Sequence, residues 1–257
     1  MIEIRNLYKT FDKVPVLNGL SLTIREGETK VVIGRSGVGK SVLLKSIVGI
    51  VKPDSGEIRI NDVDVTKLDD KEYDKVRKNI GLVFQGGALF DSLSVGENVS
   101  FVLDEFTQLS TAVKKERVAH ALSLVGLGGI EQMMPSQLSG GMRKRVSLAR
   151  VLCMGPRILL YDEPTSEVDP IMADAIERLI IGMRDRLRVT SIVVTHDMTA
   201  AYRIADSIAM FYHGQVIADG TPDEIRNSRH PVVKQFVNGE SAGPIAEDEN
   251  LKFGHVK

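Results

Sequence analysis

The stretch GRSGVGKS at residues 34–41 limits what this chain can fold into more than any other. It fits G-x-x-x-x-G-K-[ST], the pattern of a phosphate-binding loop. Glycine lets such a loop turn tightly and bring backbone N–H groups up to phosphate oxygens. A helix starting directly after it adds the positive end of its dipole to the same anion site. Both flanks are present: GETKVVIG enters as an apolar strand, and SVLLKSIVGI leaves with helical spacing of apolar residues. On this reading Gly34, Arg35, Ser36, Gly37, Val38 and Gly39 wrap a polyphosphate. Lys40 reaches its β- and γ-phosphates, and the Ser41 hydroxyl ligates Mg²⁺.

A chain of 257 residues, 43% hydrophobic and 26% charged, can bury one large core or two closely joined ones. A net charge of -1 supplies no electrostatic footprint for nucleic acid or an anionic bilayer. No run of about 18 apolar residues is long enough to span a membrane. Charges at Glu3, Arg5 and Lys9 break the opening residues in a way a secretory leader would not. Any membrane link is therefore expected through a partner. The single cysteine, Cys153, fits a reducing compartment and reads as a small buried apolar residue.

Residues 1–33 alternate like β structure, and Phe11 among them suits either an adenine-stacking aromatic or a core position. A hairpin is expected at Asn61-Asp62, a short charged helix over DKEYDKVRK, and a strand NIGLVFQ ending at Gln85. Residues 88–155 read as a helical insertion between two halves of an α/β core. Within it Ser139, Gly140 and Gly141 stand at a helix start, a second set of bare N–H donors far from the first. Arg143, Lys144 and Arg145 read as a solvated helix face. The apolar run RILLY delivers Asp162 and Glu163 to a strand end, where open α/β sheets place their chemistry. Asp162 is the expected Mg²⁺ ligand and Glu163 the expected general base for an attacking water. Asp169-Pro170 opens a helix with an apolar stripe from Ile171 to Met183, read as core. His196 ends another strand and suits either a structural role or contact with a γ-phosphate, whereas His120, His213, His230 and His255 have no such setting. Thr221, Pro222 and Glu224 form a capping box, and from about residue 239 the apolar periodicity is lost, as in an extended or mobile tail.

In their order and spacing GRSGVGKS, Gln85, LSGGM, ILLYDE, SEVD and His196 resemble an ATP-binding-cassette (ABC) ATPase over about residues 1–225. The resemblance implies an α/β fold: a P-loop NTPase (RecA-like) core with an N-terminal antiparallel β subdomain and an inserted helical subdomain. Residues 1–85 and 156–225 would be the two parts of the core, 86–155 the helical signature subdomain, and 226–257 a C-terminal extension and possible dimer contact. It implies ATP and Mg²⁺ as cofactors and ATP hydrolysis coupled to transport. Phe11 then resembles the adenine-stacking aromatic, Gln85 the glutamine that senses metal and permease, and His196 the switch histidine. Ser139, Gly140 and Gly141 resemble the signature that closes on the other subunit's nucleotide, and Asp169 lies in the loop linking two sites. That accounts for the second anion site: a homodimer holds two ATP at its interface, each between two chains. Met142 and Glu167 depart from the family's usual Gln and small residue without removing a phosphate donor or the expected base.

FQGGALFDSLSVGENVSF, LSGGM and HPVVKQFVNGESAGP narrow the resemblance to the ATPase of Mla/Mce-type phospholipid transport systems. That subfamily implies a peripheral protein on the cytoplasmic face of the inner membrane. Its partners would be transmembrane permeases, Mce-domain substrate-binding subunits and a STAS-domain regulator, with no nucleic acid. ABC ATPases of other transporters, non-transport ABC ATPases and an inactive nucleotide-sensing module are the competing readings. The absence of an N-K-x-D guanine reader weighs against a GTPase.

Overall fold

In the computed structural model, which describes residues 1–247, the alternating start of the chain pairs with itself. Strand β1 (Ile2–Phe11) runs antiparallel to β2 (Val14–Ile24) around Asp12-Lys13, both at positive φ as a tight hairpin turn requires. On the other edge of β1 lies β4 (Ser55–Ile60), followed by the Asn61-Asp62 turn and the short β5 (Val63–Asp64). The order in this antiparallel sheet is β2-β1-β4-β5.

The second sheet gathers β3 (Thr29–Ile33), β6 (Ile80–Val83), β7 (Ile158–Asp162), β8 (Thr190–Thr195), β9 (Ser207–Tyr212) and β10 (Gln215–Gly220) in the order β10-β9-β3-β8-β7-β6. All its pairs are parallel except β9 with β10. Every residue of β3, β7 and β8 is buried, which explains why these segments read as continuous apolar runs. Successive residues point to opposite faces, so each strand serves two cores. Val32, Leu160 and Ile192 pack with the antiparallel sheet and with α1 (Lys40–Ile47). Val31, Tyr161 and Val193 pack on the opposite face.

That opposite core is completed by helices. After α2 (Asp70–Arg77) and β6 come α3 (Val95–Phe106), α4 (Thr111–Leu124) and α5 (Gly140–Leu152), all before β7. Gly81 on β6 lets α5 approach the sheet: a Cβ there would fall 2.0 Å from Val151 Cγ1. The chain continues through α6 (Pro170–Leu187), α7 (Met198–Ile204), α8 (Pro222–Arg226) and α9 (Pro231–Asn238). Among the described residues no helix is long and apolar enough to cross a membrane. Cys153 is buried, and burial pushes its thiol up to about 11.

Three expectations need correction. Ile171 is 83% exposed, although Met172 beside it packs against the core; the buried stripe is Ile176, Ile180 and Met183. Arg143, Lys144 and Arg145 are not simply solvated, since they donate to the carbonyls of Leu138, Ser166 and Val125 respectively. Residues 239–247 do not form a loose tail. The buried Gln235 amide donates to Glu240 O (3.2 Å) and accepts from Ile245 N (2.8 Å), and Ile245 joins the core. The remainder of the expected tail, with His255, lies outside the described residues.

Candidate functional site

The loop after β3 can hold its shape only with glycine at its tightest points. Gly39 has φ 108°, and a Cβ there would sit 2.8 Å from Val16 O on β2. That packing aims the first residues of α1 across the sheet's C-terminal edge. Lys40 Nζ folds back over the loop, donating to Gly34 O (2.6 Å) and Arg35 O (3.0 Å). Ser41 Oγ donates to Asp162 Oδ1 at 2.8 Å, joining the loop helix to the end of β7.

Glu163 follows Asp162 in the left-handed region (φ 48°), its N–H donating to Val194 O at 3.0 Å. This turn points its carboxylate back at the loop: Oε1 lies 3.7 Å from Lys40 Nζ and Oε2 3.0 Å from Nδ1 of His196, the residue after β8. Lys40 is nearly buried, and burial holds its ammonium below the ordinary lysine range, with Glu163 and then Asp162 acting in the opposite sense. Gln85, two residues past β6, places Nε2 at 3.5 Å from Glu167 Oε1.

Lys40, Ser41, Gln85, Glu163 and His196 together line a cavity of about 370 Å³, with Ser36, Gly37 and Gly39 on the loop side. The ends of four neighbouring strands thus present a cation, a hydroxyl, a carboxylate, an amide and an imidazole to one space, with Asp162 behind them bonded to the Ser41 hydroxyl. Asp162 and Ser41 are hard oxygen donors side by side, and Asp162 is 8% exposed; this set suits Mg²⁺ held together with substrate phosphates. Among the described residues no cluster of three or more His, Cys, Asp or Glu forms an all-protein metal cage, which is the usual situation for Mg²⁺ at a phosphate site.

Other expected residues stand elsewhere. Arg35 and Val38 line an adjoining cleft of about 440 Å³ with His213 and Gly214 of the β9–β10 turn. Phe11 ends β1 at 42% exposure, with Lys9 Nζ 5.3 Å from its ring centroid, and is not in the cavity wall. Ser139 caps α5 by accepting from Met142 N, and Ser139, Gly140 and Gly141 do not line the cavity of their own chain. Asp169 caps α6 through Ile171 N and Met172 N. Val16 and Val42 also line the cavity, which the sequence reading missed. Val42 directly follows Ser41 and was within reach of the motif; Val16 arrives through a contact between separate sheets and leaves no local signal.

The ABC transporter family pattern matches residues 17–166 of the chain. The probable ribonucleotide transport ATP-binding protein mkl of Mycobacterium tuberculosis is 38% identical over 248 residues, covering 96% of this chain and 69% of that protein. The intermembrane phospholipid transport system ATP-binding protein MlaF of Haemophilus influenzae is 39% identical over 246 residues, covering 95% and 93%. Among solved structures, a dimeric ATP-binding cassette in a post-hydrolysis state with ADP and Pi superposes with a TM-score of 0.80. It is 32% identical and covers 86% of this chain and 99% of that one.

Proposed function

Because the chain belongs to the ABC transporter family of ATP-hydrolysing cassettes, we propose that it powers the movement of phospholipid or another hydrophobic substrate between bacterial envelope membranes. The observation that carries the chemistry is the convergence of Lys40, Ser41, Gln85, Glu163 and His196 on one cavity, with Asp162 bonded to Ser41. Loop N–H groups and Lys40 would orient the β- and γ-phosphates of ATP. Ser41, Asp162 and the Gln85 amide would hold Mg²⁺, which when bound offsets charge on those phosphates. Glu163 would accept the proton of the attacking water, giving ADP and phosphate, and His196 would fix the Glu163 carboxylate and touch the γ-phosphate. Phe11 would stack on the adenine.

The signature residues Ser139, Gly140 and Gly141 lie away from the cavity of their own chain. We infer that a second copy supplies them head-to-tail, so that two ATP molecules are held between two chains. A γ-phosphate gripped from both sides favours the closed state, and its hydrolysis removes that differential affinity. An apolar groove of about 450 Å³ supports a permease partner. Phe84, Phe90, Phe101 and Phe106 line it, and Lys78, Arg150 and an Arg77–Asp74 ion pair also border it. These residues suit a short apolar segment carrying an acidic side chain. Phe84 lines this groove while the next residue, Gln85, lines the nucleotide cavity, giving a short route between partner and chemistry. The protein would therefore sit on the cytoplasmic face of the inner membrane.

The cargo assignment draws on the sequence segments shared with phospholipid transport ATPases and on the likeness to MlaF over nearly its whole length. The test is affinity purification from native membranes, with co-purifying proteins and lipids identified by mass spectrometry. A permease with an Mce-domain subunit and bound phospholipid is the expected result, with a STAS-domain regulator where one is used. A different permease, for instance one carrying ribonucleotides, would discard the lipid and keep the ATPase. Soluble partners alone would move the protein to the non-transport class.

A further inference from the structure

We infer that Lys144 is a positioning residue for Glu163, grasping the Ser166 carbonyl and so tying the loop 163–169 to the helix that begins after Ser139. The inference rests on the proposed role of Glu163 as base. Three neighbouring cations leave the first turns of α5, and they do different things. Arg143 and Arg145 donate to Leu138 O and Val125 O, both within the helical stretch. Lys144 instead reaches across to the loop that follows β7, with its Nζ also 3.4 Å from Ser166 Oγ.

That loop is one in which an external grip has something to hold. Ser166 N–H and Ser166 Oγ both donate to Glu163 O, at 3.2 and 2.8 Å, so the position of Ser166 fixes the turn from which Glu163 projects. Glu163 and Glu167 bracket the turn with φ 48° and 61°, a conformation that non-glycine residues keep only when their surroundings impose it. Burial holds the Lys144 ammonium below the ordinary lysine range, with the carboxylates of Glu167 and then Glu163 acting in the opposite sense. Glu167 in turn approaches Gln85. Residues 139 and 144 share one rigid element. A displacement of α5 that carries Ser139 toward a partner's phosphate would therefore also move Ser166, and with it the aim of Glu163 in the chain's own site. Closure and alignment of the base become one motion.

The experiment compares ATP turnover by the full chain with that of Lys144→Met, Lys144→Gln and Lys144→Arg, together with binding of a fluorescent ATP analogue and thermal melting. For Lys144→Met we expect kcat to fall roughly ten- to a hundredfold, the scale of losing a charge-assisted hydrogen bond, with KM within about twofold. Lys144→Arg, which keeps donors and charge, should recover kcat to within about threefold of the parent. In a Glu163→Gln background, Lys144→Met should still form ATP-driven dimers. An unchanged kcat, or a raised KM with kcat intact, overturns the assignment. Loss of ATP-driven dimers also overturns it, since Lys144 would then serve nucleotide binding or closure. If Lys144→Met melts below the assay temperature, the order Lys, Arg, Gln in kcat at constant KM carries the test, and equal rates refute it. An inactive parent chain would defeat the functional reading instead.

Discussion

Glu163→Gln removes one charge from a cavity in which its nearest cation is Lys40, and changes the side-chain volume hardly at all. The carboxylate oxygen lies 3.7 Å from Lys40 Nζ, with the two side chains 13% and 6% exposed. At an effective dielectric of about 20, a pair at that separation attracts by about 4 kcal/mol before desolvation is counted. Lys40 loses this attraction in the variant, but it keeps the carbonyls of Gly34 and Arg35 and stands ready for phosphate. Removing a negative charge beside the γ-phosphate acts in the favourable direction, so ATP should bind at least as tightly as before. Turnover should fall by about 10²–10⁴, the usual contribution of a general base, or about 3–5 kcal/mol of barrier. Phosphate release at saturating ATP gives the rate, and size-exclusion chromatography with ATP gives the dimer fraction, which should rise. Turnover equal to the parent's refutes Glu163 as base. A loss of ATP affinity as large as the loss of rate would recast it as a counter-ion that organises Lys40.

Gly39→Ala forces a Cβ to 2.8 Å from Val16 O at φ 108°, so ATP-analogue binding should drop at least tenfold; unaltered affinity would mean that the loop tolerates a different path. Gln235→Ala strands the amide of Ile245 and the carbonyl of Glu240, so stability should fall by about 1–3 kcal/mol in urea unfolding; a change under half of that would show the 240–247 segment to be dispensable to the fold. The Cys153 thiol is raised by burial to about 11, so the folded state keeps its proton where the unfolded chain releases it. Its contribution is fully present below about pH 8.5 and is lost as pH rises toward 11, by about 3 kcal/mol. Urea unfolding at neutral and alkaline pH should show a steeper loss for the parent than for Cys153→Ala, and parallel slopes would contradict the burial.

Much of the site was legible because each part ends a contiguous run. GRSGVGKS announces its own backbone, and Glu163 and His196 each follow a strand apolar enough to be read without its neighbours. The capping box at Thr221 is likewise a local pattern. What was not legible is what depends on contacts with backbone or between distant elements. Lys144 recognises a carbonyl, which every residue possesses, so nothing at position 166 marks the pairing. Val16 reaches the cavity because one sheet crosses another. Ile171 fits the helical stripe by spacing, yet it faces outward while Met172 beside it packs against the core. Ile245 is a lone apolar residue in a polar stretch, and periodicity needs more than one point.

The order β3-β8-β7-β6 lays the site out as a row, from the phosphate loop through His196 and Glu163 to Gln85. Strand spacing sets the intervals, so the row covers about 14 Å whatever side chains occupy it. Strands β3, β8 and β7 are held by hydrogen bonds on both flanks, while β6 has a neighbour on one flank only. The row is therefore stiff at the phosphate end and compliant at the end where Gln85 and the aromatic groove meet. A push from outside deflects the last position first and leaves the other intervals standing.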